Sequence, residues 1–114
     1  MAKELSGDLL RGNLDLMILS ALADGAKYGY LIQQRLGEAS RGLVSVQAGT
    51  LYPILYRLER AGFVAVRWET PERGVPRKYY RLTEAGNQEL LQLTAEWTTF
   101  SNALARLLSE GKRT

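Results

Sequence analysis

A mainly α-helical fold with one small β-hairpin is what this sequence predicts, and three observations carry that reading. Leu51, Leu55 and Leu58 recur at spacings of four and three and so share one face of a helix, which leaves Thr50, Tyr52, Tyr56, Arg57 and Arg60 on the others. Two short runs rich in β-branched, aromatic and basic residues, Phe63 to Trp68 and Arg77 to Leu82, follow around a loop containing proline and glycine. The final stretch places Leu90, Leu93, Trp97, Phe100, Leu104 and Leu107 at alternating spacings of three and four, a short heptad seam. A helix that shows hydroxyls and arginine, backed by a basic hairpin, is the pattern of a winged helix-turn-helix.

The 114 residues make one domain, large enough for its own core and too small for two. A hydrophobic content of 46% beside 24% charged residues is that of a globular chain. There is no apolar run of membrane-spanning length, and Met1-Ala2-Lys3-Glu4 does not read as a signal peptide. The lack of cysteine fits a cytoplasmic protein. Net charge is only +3, but between Arg57 and Arg81 seven basic residues face three acids. That cluster alone suits a solvated surface as well as a polyanion, and the helical pattern beside it favours the polyanion.

Histidine is absent, which removes the commonest general base and metal ligand. Glu69 and Glu72 flank Pro71 in a loop where nothing would raise a carboxylate pKa. No zinc pattern or phosphate-binding glycine loop occurs. The chain is therefore expected to be no enzyme, with no metal site and no cofactor.

Taken in order, Asp8 to Asp24 reads as a first helix, apolar over more than one face, with Gly25 as its C-cap. Leu9, Gly12, Leu16 and Ser20 share a side of it, and close approach of another element would account for Gly12 in a helix interior. Tyr28 to Leu36 reads as a short second helix. Lys27, Tyr28 and Tyr30 at its start suit either a phosphate or partial core packing. Gly37 to Val46 is the turn into the third helix. That helix is expected to start near Gln47 with an irregular first turn, because Pro53 deprives the Gly49 carbonyl of its partner, and to end at Ala61-Gly62. Gln47, Thr50 and Tyr52 would then lie along a DNA groove with Tyr56 and Arg57.

The hairpin, residues 63–82, puts Arg73, Arg77 and Lys78 best placed for a phosphate or a minor groove. Thr83 caps the last helix, with Glu84 in its first turn. About 28 residues of helix would run roughly 42 Å, more than a core of this size can cover, so the heptad seam points to self-association. Residues 1–82 thus form the winged unit and 83–114 the dimerisation helix of one compact structural unit.

With these residues in view, the chain resembles the PadR family of bacterial transcriptional regulators. The resemblance rests on Tyr28-Gly29-Tyr30, on Gly49-Thr50-Leu51-Tyr52-Pro53, on Tyr56-Arg57-Leu58-Glu59 with Ala61-Gly62, and on Arg77 to Gly86. It implies a homodimer that binds palindromic double-stranded DNA and represses transcription until a signal releases it. The single short C-terminal helix looks like the compact branch of that family, some members of which bind flat aromatic compounds between paired tryptophans. Trp97 sits at the matching place, and Leu9, Gly12, Leu16, Ser20, Leu93 and Ser101 would be its neighbours. Trp97 as plain interface core remains open, as does a protein-interaction module built on a winged scaffold without ligand regulation.

Overall fold

The structure is a computed structural model and describes residues 3–111. Met1 and Ala2, and residues 112–114 of the expected last helix, lie outside the described residues. Five helices and three strands follow one another as α1 (Gly7–Leu10), α2 (Leu14–Ala21), β1 (Lys27–Tyr28), α3 (Gly29–Ala39), α4 (Ala48–Arg60), β2 (Val64–Glu69), β3 (Arg77–Leu82) and α5 (Glu84–Gly111).

The first helix is two. Ser6 caps α1 by accepting from the Leu9 N–H at 3.2 Å, and Gly12 then turns the chain at φ +94°. Side chains with a Cβ seldom adopt that conformation, so the glycine is needed for the corner itself. Nothing lies within 4 Å of where its Cβ would stand, so close packing does not explain it. Helix α2 also ends at Ala21, with Leu22 as C-cap. Gly25 therefore belongs to the following turn, not to the helix end. Two short segments suffice because most helical stability here comes from buried apolar faces rather than from helix length.

Strand β1 is the element the sequence reading missed. Tyr28 pairs with Tyr79 and Lys27 with Tyr80, which adds a third antiparallel strand to the hairpin in the order β1-β3-β2. Tyr28 is therefore strand rather than helix, and α3 runs on to Ala39. The hairpin keeps continuous register from Val64↔Leu82 to Glu69↔Arg77, leaving residues 70–76 as its tip.

The core forms where these elements meet. Ile18 and Leu19 of α2, Ile32 of α3, and Leu51, Leu55 and Leu58 of α4 are the largest fully buried side chains, closed over by Val64 and Tyr80 of the sheet. Burying each such side chain is worth roughly 1.5–3 kcal/mol.

Thr83 joins α5 to the rest. Its Oγ1 accepts from the Gly86 N–H at 3.0 Å and donates to the Gly62 carbonyl at 2.6 Å, while its own N–H donates to the Phe63 carbonyl at 3.1 Å. A Cβ on Gly86 would fall 1.9 Å from the Phe63 carbonyl oxygen, so only glycine lets α5 start this close to the end of α4. Beyond Leu93 the helix leaves the core, and the molecule extends over 64 × 34 × 22 Å. Among the described residues no helix is long and apolar enough to cross a membrane, and no group of acidic residues is arranged to hold a metal.

Candidate nucleic-acid interface and central cavity

Helix α4 begins as its proline requires. Gln47 is the N-cap, and its carbonyl accepts from both the Thr50 and Leu51 N–H groups, at 3.0 and 2.9 Å, a tightened first turn. Pro53 stands exposed, inside the helix, where its missing donor faces no buried partner. Opposite the Leu51, Leu55 and Leu58 stripe the helix shows Tyr52, 47% exposed, and Tyr56, 59% exposed. Tyr52 leans onto the start of α3: a Cβ on Gly29 would come within 2.0 Å of its hydroxyl, so a glycine there makes room for the ring.

Arg57 is held. Its guanidinium donates to both carboxylate oxygens of Asp15 in α2, at 2.9 and 2.6 Å. That hydrogen bonding, with the adjacent negative charge, raises the already high Arg57 pKa. The expectation that Arg57 faces a DNA groove with Tyr56 therefore meets a different placement, against the neighbouring helix. Arg57 stays exposed in that pair, and Arg60, which the sequence reading left out of its contacts, shares the exposed face with it. It donates to the Tyr56 hydroxyl at 3.1 Å, and its guanidinium lies 5.7 Å from that ring's centre. The signal was present, since Tyr56 and Arg60 are four apart and neighbours on a helix.

The sheet sorts its basic residues by pleat. Lys78 points toward α4, where it pairs with Glu59 at 3.3 Å, so it is engaged rather than free at the wing edge. Arg77, Tyr79 and Arg67 point to the opposite face with Tyr28. Arg67 is also bound to Glu69, its Nε donating at 2.6 Å. Arg73 sits exposed in the tip. Val75, 73% exposed, stands there too, and Trp68, 65% exposed, stands near the end of β2; neither was singled out from the sequence. Trp68 follows Val64 and Val66 in the alternation that marks the core face, but the core ends before reaching it. Lys27 is tied to Asp24, whose carboxyl pKa that hydrogen bond lowers. Tyr30 remains 58% exposed at the start of α3.

Trp97 separates two open cavities on the other side of the molecule. One, of about 490 Å³, lies between α2, α4 and α5 and is walled by Gly12, Leu16, Leu93 and Trp97 together with Asp15 and Arg57. The other, of about 450 Å³, is walled by Leu9, Leu16, Trp97, Phe100, Ser101 and Leu104. Ser20 reaches neither. Its hydroxyl donates to the Met17 carbonyl at 2.6 Å and borders a separate hollow beside Arg35. It shares a helix face with Leu16, but the cavities beside α5 are walled by α2 residues from Leu14 to Met17 and not by Ser20. Along α5, Leu90 and Leu93 are partly buried, while Phe100, Leu104 and Leu107 remain exposed by 63%, 40% and 69%.

Comparison with known proteins gives one consistent result. Residues 18–92 match the family described as transcriptional regulator PadR-like. A transcriptional regulator from Clostridium thermocellum is 30% identical over 88% of this chain and 97% of its own, with a TM-score of 0.80. A PadR-family transcriptional regulator from Eggerthella lenta is 36% identical over 89% and 86%, with a TM-score of 0.76. PadR of Bacillus subtilis, solved in complex with operator DNA, is 32% identical over 69% of this chain and 45% of its own, with a TM-score of 0.64.

Proposed function

We infer the function from one premise: this chain belongs to the PadR-like family of transcriptional regulators. It is a DNA-binding regulator and not an enzyme, and we propose that it works as a homodimeric repressor in the cytoplasm. Helix α4 carries the reading. Its leucine stripe is buried to 1% exposure or less while Tyr52, Tyr56 and Arg60 stand out from the domain. That face sets two tyrosines and an arginine in a row toward solvent, the groups a helix uses to meet bases and phosphates. The Bacillus subtilis relative, similar in fold over 69% of this chain, was solved in complex with operator DNA.

In this reading Gln47, Thr50, Tyr52 and Tyr56 with Arg60 meet the major groove or its bordering phosphates. Tyr30 and the wing residues Arg73 and Arg77 hold the flanking backbone. Lys27, Arg57 and Lys78 are engaged by carboxylates of the protein and take a supporting part. The exposed row Trp97, Phe100, Leu104 and Leu107 supports pairing of α5 with a second copy, since a run of large apolar side chains on an otherwise solvated helix marks an association surface. The two hollows beside Trp97 support a small planar aromatic ligand that releases the repressor.

The test is a salt series. Phosphate contacts make the affinity for duplex DNA fall steeply as salt rises. Replacing Arg77 by alanine should weaken binding to all sequences alike and lower the salt slope by about one. An affinity that does not change with salt would instead identify a docking module on a winged scaffold.

A further inference from the structure

On the outer face of the sheet, three strands bring two arginines and two tyrosines into one cluster, and Tyr30 at the start of α3 joins them. Arg67 of β2 and Tyr28 of β1 stand on either side of Tyr79 of β3, in register across the sheet. The Arg67 guanidinium lies 5.6 Å from the centre of the Tyr79 ring. Tyr79 meets Tyr28 edge to face, with centres 5.4 Å apart and planes at 69°. Arg77 closes the cluster, its guanidinium carbon only 4.6 Å from the centre of the Tyr28 ring. On the far side Tyr30 stacks on Tyr28 at 6.5 Å.

The two arginines differ in what holds them. Arg67 is bound by Glu69, whereas among the described residues no carboxylate pairs with Arg77. Arg77 is also the first residue of β3, directly after the tip. A long side chain at that point would sample many rotamers and lose them on binding. Its cross-strand neighbour Glu69 is taken by Arg67, so the face of Tyr28 is what Arg77 lies over, and an arginine over an aromatic ring keeps all its N–H donors free for a phosphate.

We propose that Tyr28 is a positioning residue for the wing: its ring, not its hydroxyl, holds the Arg77 guanidinium ready for the DNA backbone. Tyr28 belongs to the two-residue strand that precedes α3, so this contact also sets the wing relative to the helix-turn-helix. The proposal rests on the reading that Arg77 touches DNA, and the experiment separates the two.

The full chain is titrated onto a labelled duplex across a salt series as wild type, Tyr28→Phe, Tyr28→Leu, Arg77→Ala and the double variant Tyr28→Leu/Arg77→Ala. Tyr28→Phe keeps the ring and is expected to bind as wild type. Tyr28→Leu is expected to lose roughly two- to fivefold, the worth of an exposed cation–π contact. In the Arg77→Ala background the same change should cost nothing further. If Tyr28→Phe loses as much as Tyr28→Leu, the hydroxyl is the working group and the proposal is overturned. Equal losses from Tyr28→Leu with and without Arg77 overturn it too, while leaving the wing reading in place. A silent Arg77→Ala removes the wing contact and the proposal together. NMR gives a readout independent of DNA and of small stability losses. The Arg77 side-chain N–H resonance should be ring-current shifted in wild type and Tyr28→Phe and return to its ordinary position in Tyr28→Leu. An unchanged resonance in Tyr28→Leu would contradict the stacking.

Discussion

On α4, two arginines one turn apart are held by different partners, and that difference decides what each can do. Arg57 is bound through both arms to Asp15, while Arg60 donates to the Tyr56 hydroxyl and, among the described residues, forms no ion pair. A guanidinium already facing a carboxylate has little net attraction left for a phosphate. Replacing Arg57 by alanine should therefore cost less duplex affinity than replacing Arg77, and Asp15→Asn should raise non-specific affinity by freeing the arginine. A filter-binding or anisotropy titration decides, and an Arg57→Ala loss larger than that of Arg77→Ala would place Arg57 on the DNA after all. A second residue sets a pH limit. Burial raises the Tyr80 phenol above its ordinary 10.0, with Lys78 pulling the other way. Because the folded value is the higher one, the neutral phenol's contribution is complete below pH 10.0 and is lost as the pH rises from there through the raised value. Tyr80→Phe should lose less thermal stability than wild type between about pH 9 and 11. Parallel losses in the two proteins would show that other groups set the alkaline limit.

Helix α5 joins the winged domain and the proposed partner. Its first turn is fixed to the end of α4 by Thr83 and by the close approach at Gly86, so the direction of the seam is set by the recognition helix itself. Farther along, Leu104 lines the cavity at Trp97 and stays 40% exposed, and Leu107 is 69% exposed. Leu104→Asp should place a charge in the seam and yield folded monomers. Two half-sites would then be bound independently, lowering operator affinity by at least about a hundredfold. Sedimentation and an operator titration measure both, and a dimer of wild-type affinity after that change would sink the seam as drawn.

For the molecule as a whole, the question is how one side could report to the other. The larger cavity shares Trp97 and Leu93 of α5 with Asp15 of α2 and Ile54 and Arg57 of α4. A ligand there would touch α5 and α4 at once. It can lower DNA affinity only by favouring a dimer that spaces the two recognition helices wrongly for half-sites about 34 Å apart. Operator DNA must then weaken the ligand by the same factor. Trp97→Phe should keep the dimer and operator binding, and blunt the response to a planar aromatic compound severalfold. An aromatic inducer whose effect survives both Trp97→Phe and Trp97→Ala in intact dimers would rule out the central cavity as its seat.

What the sequence determined by itself rests on apolar neighbours three or four residues along a helix, or two along a strand. Leu51, Leu55 and Leu58 declared the core face of α4, the basic aromatic runs declared the hairpin, and Leu90 to Leu107 declared a helix too long for its core. The irregular start at Gln47 followed from the covalent demands of Pro53. Tertiary structure alone decided the rest. Gly12 is indistinguishable from a packing glycine until its φ is known, and a two-residue strand at Tyr28 is too short to show any alternation. The use of Arg57 and Lys78 was beyond local reading as well. Arg57 finds Asp15 across 42 residues and Lys78 finds Glu59 across 19, while Lys27 finds Asp24 within one turn. Periodicity states which side of an element a residue occupies. What waits on that side is set by how the elements pack, and that is a property of the folded chain.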